Sequence, residues 1–441
     1  MSDDAHKLSL KSLETDLVED ETEKKTETDP VIPDIEPLPR RTGKIMTTIN
    51  LLNTLLGAGI IAMPNSMHST GIIPSTILIF LVTLISHVAT VMIFKLQLRF
   101  EVSGYDSLVN VVLGKLGEVI YSIFSLLFLI PNQLAYLIIG GDIITSWFDK
   151  ANIDLRPLGY HALCILVYSL LLPIPITIPK DIRVISWIST ITVICVVIYC
   201  AVMIYEATVY LKDESILPSN NYSLARIDLS IFSALAIYSE TFNLPSISIP
   251  IIHHSEENYQ ARKIISRWAM GLCFFFVIFP SILGYLIFGE NTNPNILLNF
   301  SPDDIAITVV RVAFFLIVNF SFPLVSKSVA GTWSELIYKE NNSDMLVGAK
   351  RAIILVITCL IPLVIAMFLP QAKMALAIGS ASGGFAVAFI FPAILWLKST
   401  KKELKHYSNI GSILMAIFGI VFAIISTYFS VVEAIQVYKD L

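Results

Sequence analysis

Apolar runs long enough to cross a bilayer recur eleven times along the chain, near residues 45–69, 73–95, 118–147, 160–177, 183–206, 229–252, 267–288, 305–330, 349–369, 373–397 and 409–431. A spanning helix needs about 20 mostly apolar residues. The pattern predicts an all-α polytopic membrane protein with eleven transmembrane helices. Residues 40–441 form the membrane domain, preceded by a polar leader over 1–39. The third run is the longest and contains Pro131-Asn132-Gln133, which predicts a tilt or kink at that point.

Two runs, five spans apart, are broken in the middle. The first reads Asn53-Thr54-Leu55-Leu56-Gly57-Ala58-Gly59-Ile60 and the second Tyr238-Ser239-Glu240-Thr241-Phe242-Asn243-Leu244-Pro245. Backbone released from a helix is tolerated in a membrane only where protein buries it or it lines a watery cavity, so paired breaks point to a binding site. Gly57 and Gly59 let the chain leave helical geometry at low cost, and a helix resuming at Ile60 would offer free amides and a positive dipole end to a carboxylate. The plainer alternative is close helix packing over small residues.

Glu240 lies near the middle of its span, where an ionisable group costs about 3 kcal/mol unless it faces an interior or a cavity. Pro245 and Pro250 remove helix hydrogen bonds, so freed carbonyls around Tyr238, Ser239, Glu240 and Thr241 become acceptors for an ammonium. Gly57, Ala58, Gly59, Tyr238, Ser239, Glu240 and Thr241 are therefore the candidate substrate-binding set. Three roles fit Glu240: neutralising an ammonium, carrying a coupling proton, or rejecting acidic side chains. A structural Glu240, protonated and hydrogen-bonded to a neighbour, is the alternative.

In span eight, Asn319 and Ser321 put oxygen ligands beside a carbonyl freed by Pro323, which suits a small cation or a hydrogen-bonded network. Arg311 in the same span is expected to snorkel to the interface. The small residues of span ten, Gly379, Ser380, Ser382, Gly383 and Gly384, are expected to serve close packing. His68, Asp142, His253 and His254 carry no metal-ligand spacing, and neither a metal nor a cofactor is expected.

Composition agrees with the pattern. Hydrophobic residues make up 55% and charged residues 15%, with a mean hydropathy of +0.73, against about 45 to 50% and about 25% in soluble domains. The net charge of -5 is carried by the leader, which holds 12 Asp/Glu between Asp3 and Glu36 against Lys7, Lys11, Lys24 and Lys25. Its acidic run and Pro30, Pro33, Pro37 and Pro39 predict a disordered cytosolic tail. Clusters such as Arg40-Arg41, Arg262-Lys263-Arg267 and Lys398-Lys401-Lys402-Lys405 fall on one side of the membrane, and the opposite loops retain Lys150, Arg156, Lys212, Arg226, Lys373 and Lys439. The positive-inside rule then makes the amino terminus cytosolic. Asn221-Tyr222-Ser223, in the longest non-cytosolic loop, is a candidate glycosylation acceptor at Asn221. Cys164, Cys195, Cys200, Cys273 and Cys359 all lie in apolar runs and form no disulfide or metal framework.

Walker, HExxH, G-x-S-x-G and kinase motifs are absent, which argues against a primary pump or an enzyme. The stretch from Ile49 to Pro64, reading INLLNTLLGAGIIAMP, resembles the first span of the amino acid/auxin permease family. Gly284-Tyr285-Leu286-Ile287-Phe288-Gly289 and the polar pair before Pro323 extend the resemblance across the hydrophobic body. That family includes vacuolar amino acid transporters and sodium-coupled neutral amino acid transporters.

The resemblance implies a LeuT-like fold with a 5+5 inverted repeat plus one extra helix, and substrate between unwound spans one and six. It implies that the Gly57-Ala58-Gly59 amides hold an amino acid carboxylate, and that Asn53 and Asn319 match positions associated with sodium in some relatives. Asn319 stands where a Thr is usual, and Ser239-Glu240 where many relatives carry Cys-His. The function expected is secondary active amino acid transport, proton-coupled, by alternating access, with Glu240, Asn53, Asn319 and Ser321 as coupling-ion candidates. An amino acid sensor signalling through the tail, or a sodium-coupled symporter, is the alternative. Partners are an amino acid, a coupling proton or sodium, and the lipid bilayer, with no nucleic acid. A vacuolar or lysosomal membrane is expected ahead of the plasma membrane, because the long outer loop with paired cysteines seen in animal relatives is missing.

Overall fold

The structure, a computed structural model, describes residues 43–179, 183–212, 222–226, 228–253, 255, 258–340, 343–400 and 403–439. The acidic leader, Asn221 and His254 lie outside the described residues. The described elements are all helical. Among the described residues, nine helices are long and apolar enough to span a bilayer, and a bent pair brings the number to ten.

The bent pair is α1 (Lys44–Leu55) and α2 (Gly59–Ser66), with a short turn continuing to Ser69 and an angle of 58° at the break. Then come α3 (Ile72–Phe100), α4 (Tyr105–Lys150), α5 (Leu158–Leu171), α6 (Pro173–Thr177) and α7 (Arg183–Tyr210). The run expected at 229–252 is two helices, α8 (Ile231–Thr241) and α9 (Leu244–His253). At about 15 to 17 Å each, neither crosses a hydrocarbon core of about 30 Å alone. Taken together as one broken crossing they are compatible with eleven spans. The chain ends with α10 (Tyr259–Phe288), α11 (Ile305–Tyr338), α12 (Ala349–Ala366), α13 (Ala372–Gly379), α14 (Phe391–Ser399) and α15 (Tyr407–Lys439).

The centre of the bundle is α4 together with the 372–399 span, whose apolar windows are 67% and 83% buried, whereas that of α15 is 22% buried and lies at the periphery. What lets these two central spans meet is the run of small residues in the second. Between α13 and α14 the helix widens into π turns over Ser380–Gly384 and Ala386–Ile390. A Cβ on Gly383 would lie 2.5 Å from the Phe124 carbonyl oxygen and 2.6 Å from the Phe128 nitrogen, and one on Gly379 would strike the Pro131 ring. The small residues are thus used for packing, backbone against backbone.

The bend expected at Pro131 is elsewhere. α4 runs through Pro131, and the non-helical residue is Gly114, at φ 76° and ψ -177°. Only glycine adopts that conformation without strain, so an arm over 105–113 leaves the axis of the span at Gly114. Pro131 is accommodated because its ring fills the space left by Gly379.

The Gly383 contact predicts an ordering of thermal midpoints for purified protein in micelles. Gly383→Ala is expected to lower the midpoint, at a cost of about 1 to 3 kcal/mol for overpacking. Gly411→Ala on α15, where an added Cβ meets nothing within 4 Å, is expected to leave it level or raise it.

Candidate functional site

The first break begins where Leu56 leaves helical geometry at ψ 63°. Its N–H still reaches the Leu52 carbonyl at 3.0 Å, and the Gly57 N–H reaches Leu55 at 2.9 Å. Gly57 and Gly59 are not among the residues with positive φ. They are needed for a different reason. A Cβ on Gly57 would lie 2.8 Å from the Tyr136 hydroxyl, and one on Gly59 would strike the Thr241 hydroxyl. The glycines let the first break approach α4 and the second break.

The second break follows from Pro245, which has no N–H to give the Thr241 carbonyl four residues back. The Asn243 N–H turns to the Glu240 carbonyl at 3.3 Å, and the Leu244 N–H to Phe242 at 2.9 Å. Ser86 of α3 donates its hydroxyl to the Phe242 carbonyl at 2.5 Å, so part of the opened backbone is satisfied from a neighbouring span.

Between the breaks lies a cavity of about 60 Å³. Its polar lining comes from Thr54, Asn132, Tyr136, Glu240, Thr241 and Asn243, with the backbone of Gly57, Ala58 and Gly59. The Tyr136 hydroxyl lies against the first break, 2.8 Å from where a Cβ on Gly57 would sit, and shares the larger cavity with Ser321, while Asn132 lines the small cavity with Glu240 and donates to the Phe128 carbonyl at 3.1 Å. Glu240 Oε2 is buried without a hydrogen-bond partner. The site therefore sets backbone amides at the start of α2 against a carboxyl group and the Thr241 carbonyl, an arrangement that can hold a small zwitterion.

Thr54, Phe128, Leu129, Tyr136, Ile247 and Val325 also line a second cavity of about 470 Å³, which extends from Tyr136 to Gly104 and Thr332 at the end of the bundle where α3 passes into α4. The opposite end is closed by the segment 289–304. Asn65 donates to the Thr292 carbonyl at 2.5 Å, and Asn295 donates to Asp142 Oδ2 at 3.0 Å, whose Oδ1 is 3.1 Å from His161 Nε2. Arg311 donates to the carbonyls of Leu297, Phe300 and Ser301 at 3.0, 2.9 and 3.3 Å. It is 1% exposed, so instead of snorkelling it ties down this segment.

The motif at 284–289 acts here too. Gly284 allows contact with Pro64, where a Cβ would sit at 3.1 Å, and the Tyr285 hydroxyl accepts from the Ser223 N–H at 3.2 Å.

Of the residues expected at the site, Gly57, Ala58, Gly59, Glu240 and Thr241 line the small cavity. Tyr238 and Ser239 stand apart from it. The Tyr238 hydroxyl donates to the Ser66 carbonyl and contacts Ser75 Oγ at 3.1 and 3.0 Å. Asn53 and Ser321 line the larger cavity. Asn319 lies elsewhere, accepting from the Tyr168 hydroxyl at 3.1 Å and donating to the Phe315 carbonyl at 2.8 Å. Two residues apart on a helix is about 200° of rotation, so Asn319 and Ser321 face opposite ways. Sequence reasoning missed Asn132, Tyr136 and Asn243 as lining residues. An amide four residues before a tyrosine in the middle of a span was the available signal, since such positions share a helix face.

A multi-pass bundle with a buried polar cavity between two interrupted helices defines a membrane transport protein by its class. The chain matches the family described as "Transmembrane amino acid transporter protein" over residues 40–432 and belongs to it. Among its relatives, the amino acid transporter AVT6E of Arabidopsis thaliana is 24% identical over 397 residues, covering 86% of this chain and 81% of the relative. The sodium-coupled neutral amino acid transporter 7 of Danio rerio is 25% identical over 416 residues, covering 89% and 86%.

Arg311→Leu removes the three bonds to the closing segment. Amide hydrogen exchange over 289–304 is expected to accelerate about tenfold or more at fixed pH, corresponding to the loss of one charge-assisted hydrogen bond of about 1.5 kcal/mol. Unchanged protection there would show that the segment is held by other contacts.

Proposed function

We propose that the protein is a proton-coupled secondary active amino acid transporter that works by alternating access around the cavity between the two helix breaks. The observation that carries this reading is the convergence of Gly57-Ala58-Gly59 and Glu240-Thr241 on one buried cavity, which shares Thr54, Tyr136 and Val325 with a larger cavity toward one end, while the segment 289–304 is tied down at the other. The substrate carboxylate meets the amides at the start of α2, and its ammonium meets Glu240 and the Thr241 carbonyl. Tyr136, whose hydroxyl packs against Gly57, occupies the carboxylate side until substrate enters. The repeats would be spans one to five and six to ten, with α15 added.

In the proposed orientation the amino terminus is cytosolic, so the larger cavity opens to the cytosol and 289–304 closes the far side. That is an inward-facing state. The far side is taken as the interior of a vacuole or lysosome, on the compact loop pattern described above. A proton is preferred to sodium as the coupling ion. Asn319 is turned to Tyr168 while Asn53 and Ser321 face the larger cavity, a spread that does not gather oxygen ligands at one point. Glu240, buried with one oxygen unpartnered, is the group in the cavity able to take up and release a proton.

Glu240→Gln keeps the shape of the side chain and removes the titrating group. In proteoliposomes it is expected to reduce the stimulation of amino acid uptake by a pH gradient at least several-fold, while uptake down a substrate gradient persists with a raised half-saturating concentration, because the ammonium loses its charged partner. Full gradient stimulation in this variant would remove Glu240 from the coupling role.

A further inference from the structure

The wall of the small cavity formed by the second break carries acceptors that the chain does not answer. Glu240 Oε2 and Asn243 Oδ1 are buried without a hydrogen-bond partner, in residues that are 9% and 2% exposed. The donors beside them point elsewhere. Thr54 gives its hydroxyl proton to the Leu51 carbonyl at 2.8 Å and Thr241 to the Ile237 carbonyl at 3.1 Å, while Asn132 Nδ2 donates to Phe128 at 3.1 Å. The Tyr136 hydroxyl lies at the other break, against Gly57.

The orientation of Asn243 is fixed by its amide nitrogen. Nδ2 donates to the Gly384 carbonyl at 3.4 Å, at the end of the first π turn of the 372–399 span, so the oxygen is the end left over. Asn243 and Glu240 also belong to one turn. The Asn243 N–H closes on the Glu240 carbonyl at 3.3 Å, which keeps the two Cα atoms within about 7 Å. The Thr241 carbonyl, deprived of its helix donor by Pro245, lies inside the same turn.

A buried acceptor without a donor is costly, so the partner of these oxygens is a guest that brings N–H groups. A primary ammonium brings three, one for each of Glu240, Asn243 and the Thr241 carbonyl. A secondary ammonium, as in proline or an N-methyl amino acid, brings two and places a carbon where the third hydrogen would be.

We propose that Asn243 is a specificity-determining residue, which with Glu240 and Thr241 restricts the site to primary α-ammonium groups and turns away N-alkylated amino acids. Glu240 supplies the charge that any ammonium meets, and Asn243 Oδ1 separates three N–H groups from two. The inference rests on the reading of the cavity as an amino acid site.

The test is the thermal stabilisation of the purified full chain in micelles by alanine, leucine, glutamine, lysine and glutamate, each compared with its own N-methyl derivative. Those that stabilise the protein are expected to act at concentrations at least about tenfold below their N-methyl forms, which leave a buried acceptor unpaired. In Asn243→Leu the primary amino acid is expected to lose affinity and its N-methyl form to keep it, bringing the ratio toward one. Asn243→Ala, which only removes atoms, serves if the leucine variant does not fold. Asn243→Asp keeps an oxygen in place and is expected to keep the ratio. Equal affinities in the unmodified protein would overturn the proposal, as would stabilisation by none of the five amino acids. So would a ratio undiminished in a folded Leu or Ala variant, or one lost in a folded Asp variant, which would assign the effect to the Gly384 bond. Failure of the transport reading alone would appear as binding with the expected ratio and no flux in proteoliposomes.

Discussion

Opened backbone inside a membrane must find partners within the protein, and the architecture is arranged around meeting that requirement at two places. At the second break, Ser86 answers the Phe242 carbonyl from a neighbouring span, and the Asn243 and Leu244 amides fold back on Glu240 and Phe242. At the first, the Tyr136 hydroxyl comes up against the opened backbone, an approach that only the glycine at 57 permits. The groups left over face a cavity. This is why the polar lining gathers there, and why Glu240 can be buried in a chain that otherwise keeps its charges near the ends of its helices.

The two ends of the bundle use different means. At one end the closing segment is fastened by directional bonds: Arg311 to three carbonyls, Asn65 to Thr292, and Asn295 through Asp142 to His161. At the other, a cavity separates Tyr105 and Tyr121 of α4 from Ser328 and Thr332 of α11. Lys115 of α4 bridges Glu118 at 3.0 Å and Glu335 of α11 at 2.6 Å near that end. Polar fastenings can be exchanged for others at small net cost, since each contributes about 1 kcal/mol, whereas an apolar seal would resist separation in proportion to its area. The alternating access proposed above requires the first kind. The packing of the 372–399 span on α4 through Gly379 and Gly383 is the opposite case, a backbone contact with no room for adjustment.

Much of this was legible along the chain. Hydropathy put an apolar run on each long helix, although α4 begins at Tyr105 rather than 118 and α10 at Tyr259 rather than 267, and the interruptions Gly57-Ala58-Gly59 and Glu240 to Pro245 marked the breaks because few other causes put such residues in a span. Direction around a helix was not legible. α8 remains helical to Thr241, so successive residues diverge by about 100°, and Tyr238 and Ser239 turn away while Glu240 and Thr241 reach the cavity. The same rotation separates Asn319 from Ser321. Proline proved a poor guide to the bend in α4 because Gly379 makes room for Pro131, while Gly114, with no side chain to mark it, carries the non-helical backbone. Arg311 reads as an interfacial residue until the fold returns the 297–301 carbonyls to it. Such partners, distant or across a turn, are set by tertiary structure.

The measurement that bears most directly on the account is amino acid flux through the purified protein in liposomes, with an imposed pH gradient and without sodium. The account predicts saturable uptake of amino acids that rises with the gradient and collapses when a protonophore dissipates it. Saturable binding of amino acids to the same preparation, with no flux under any gradient, would contradict it and make the cavity a sensing site.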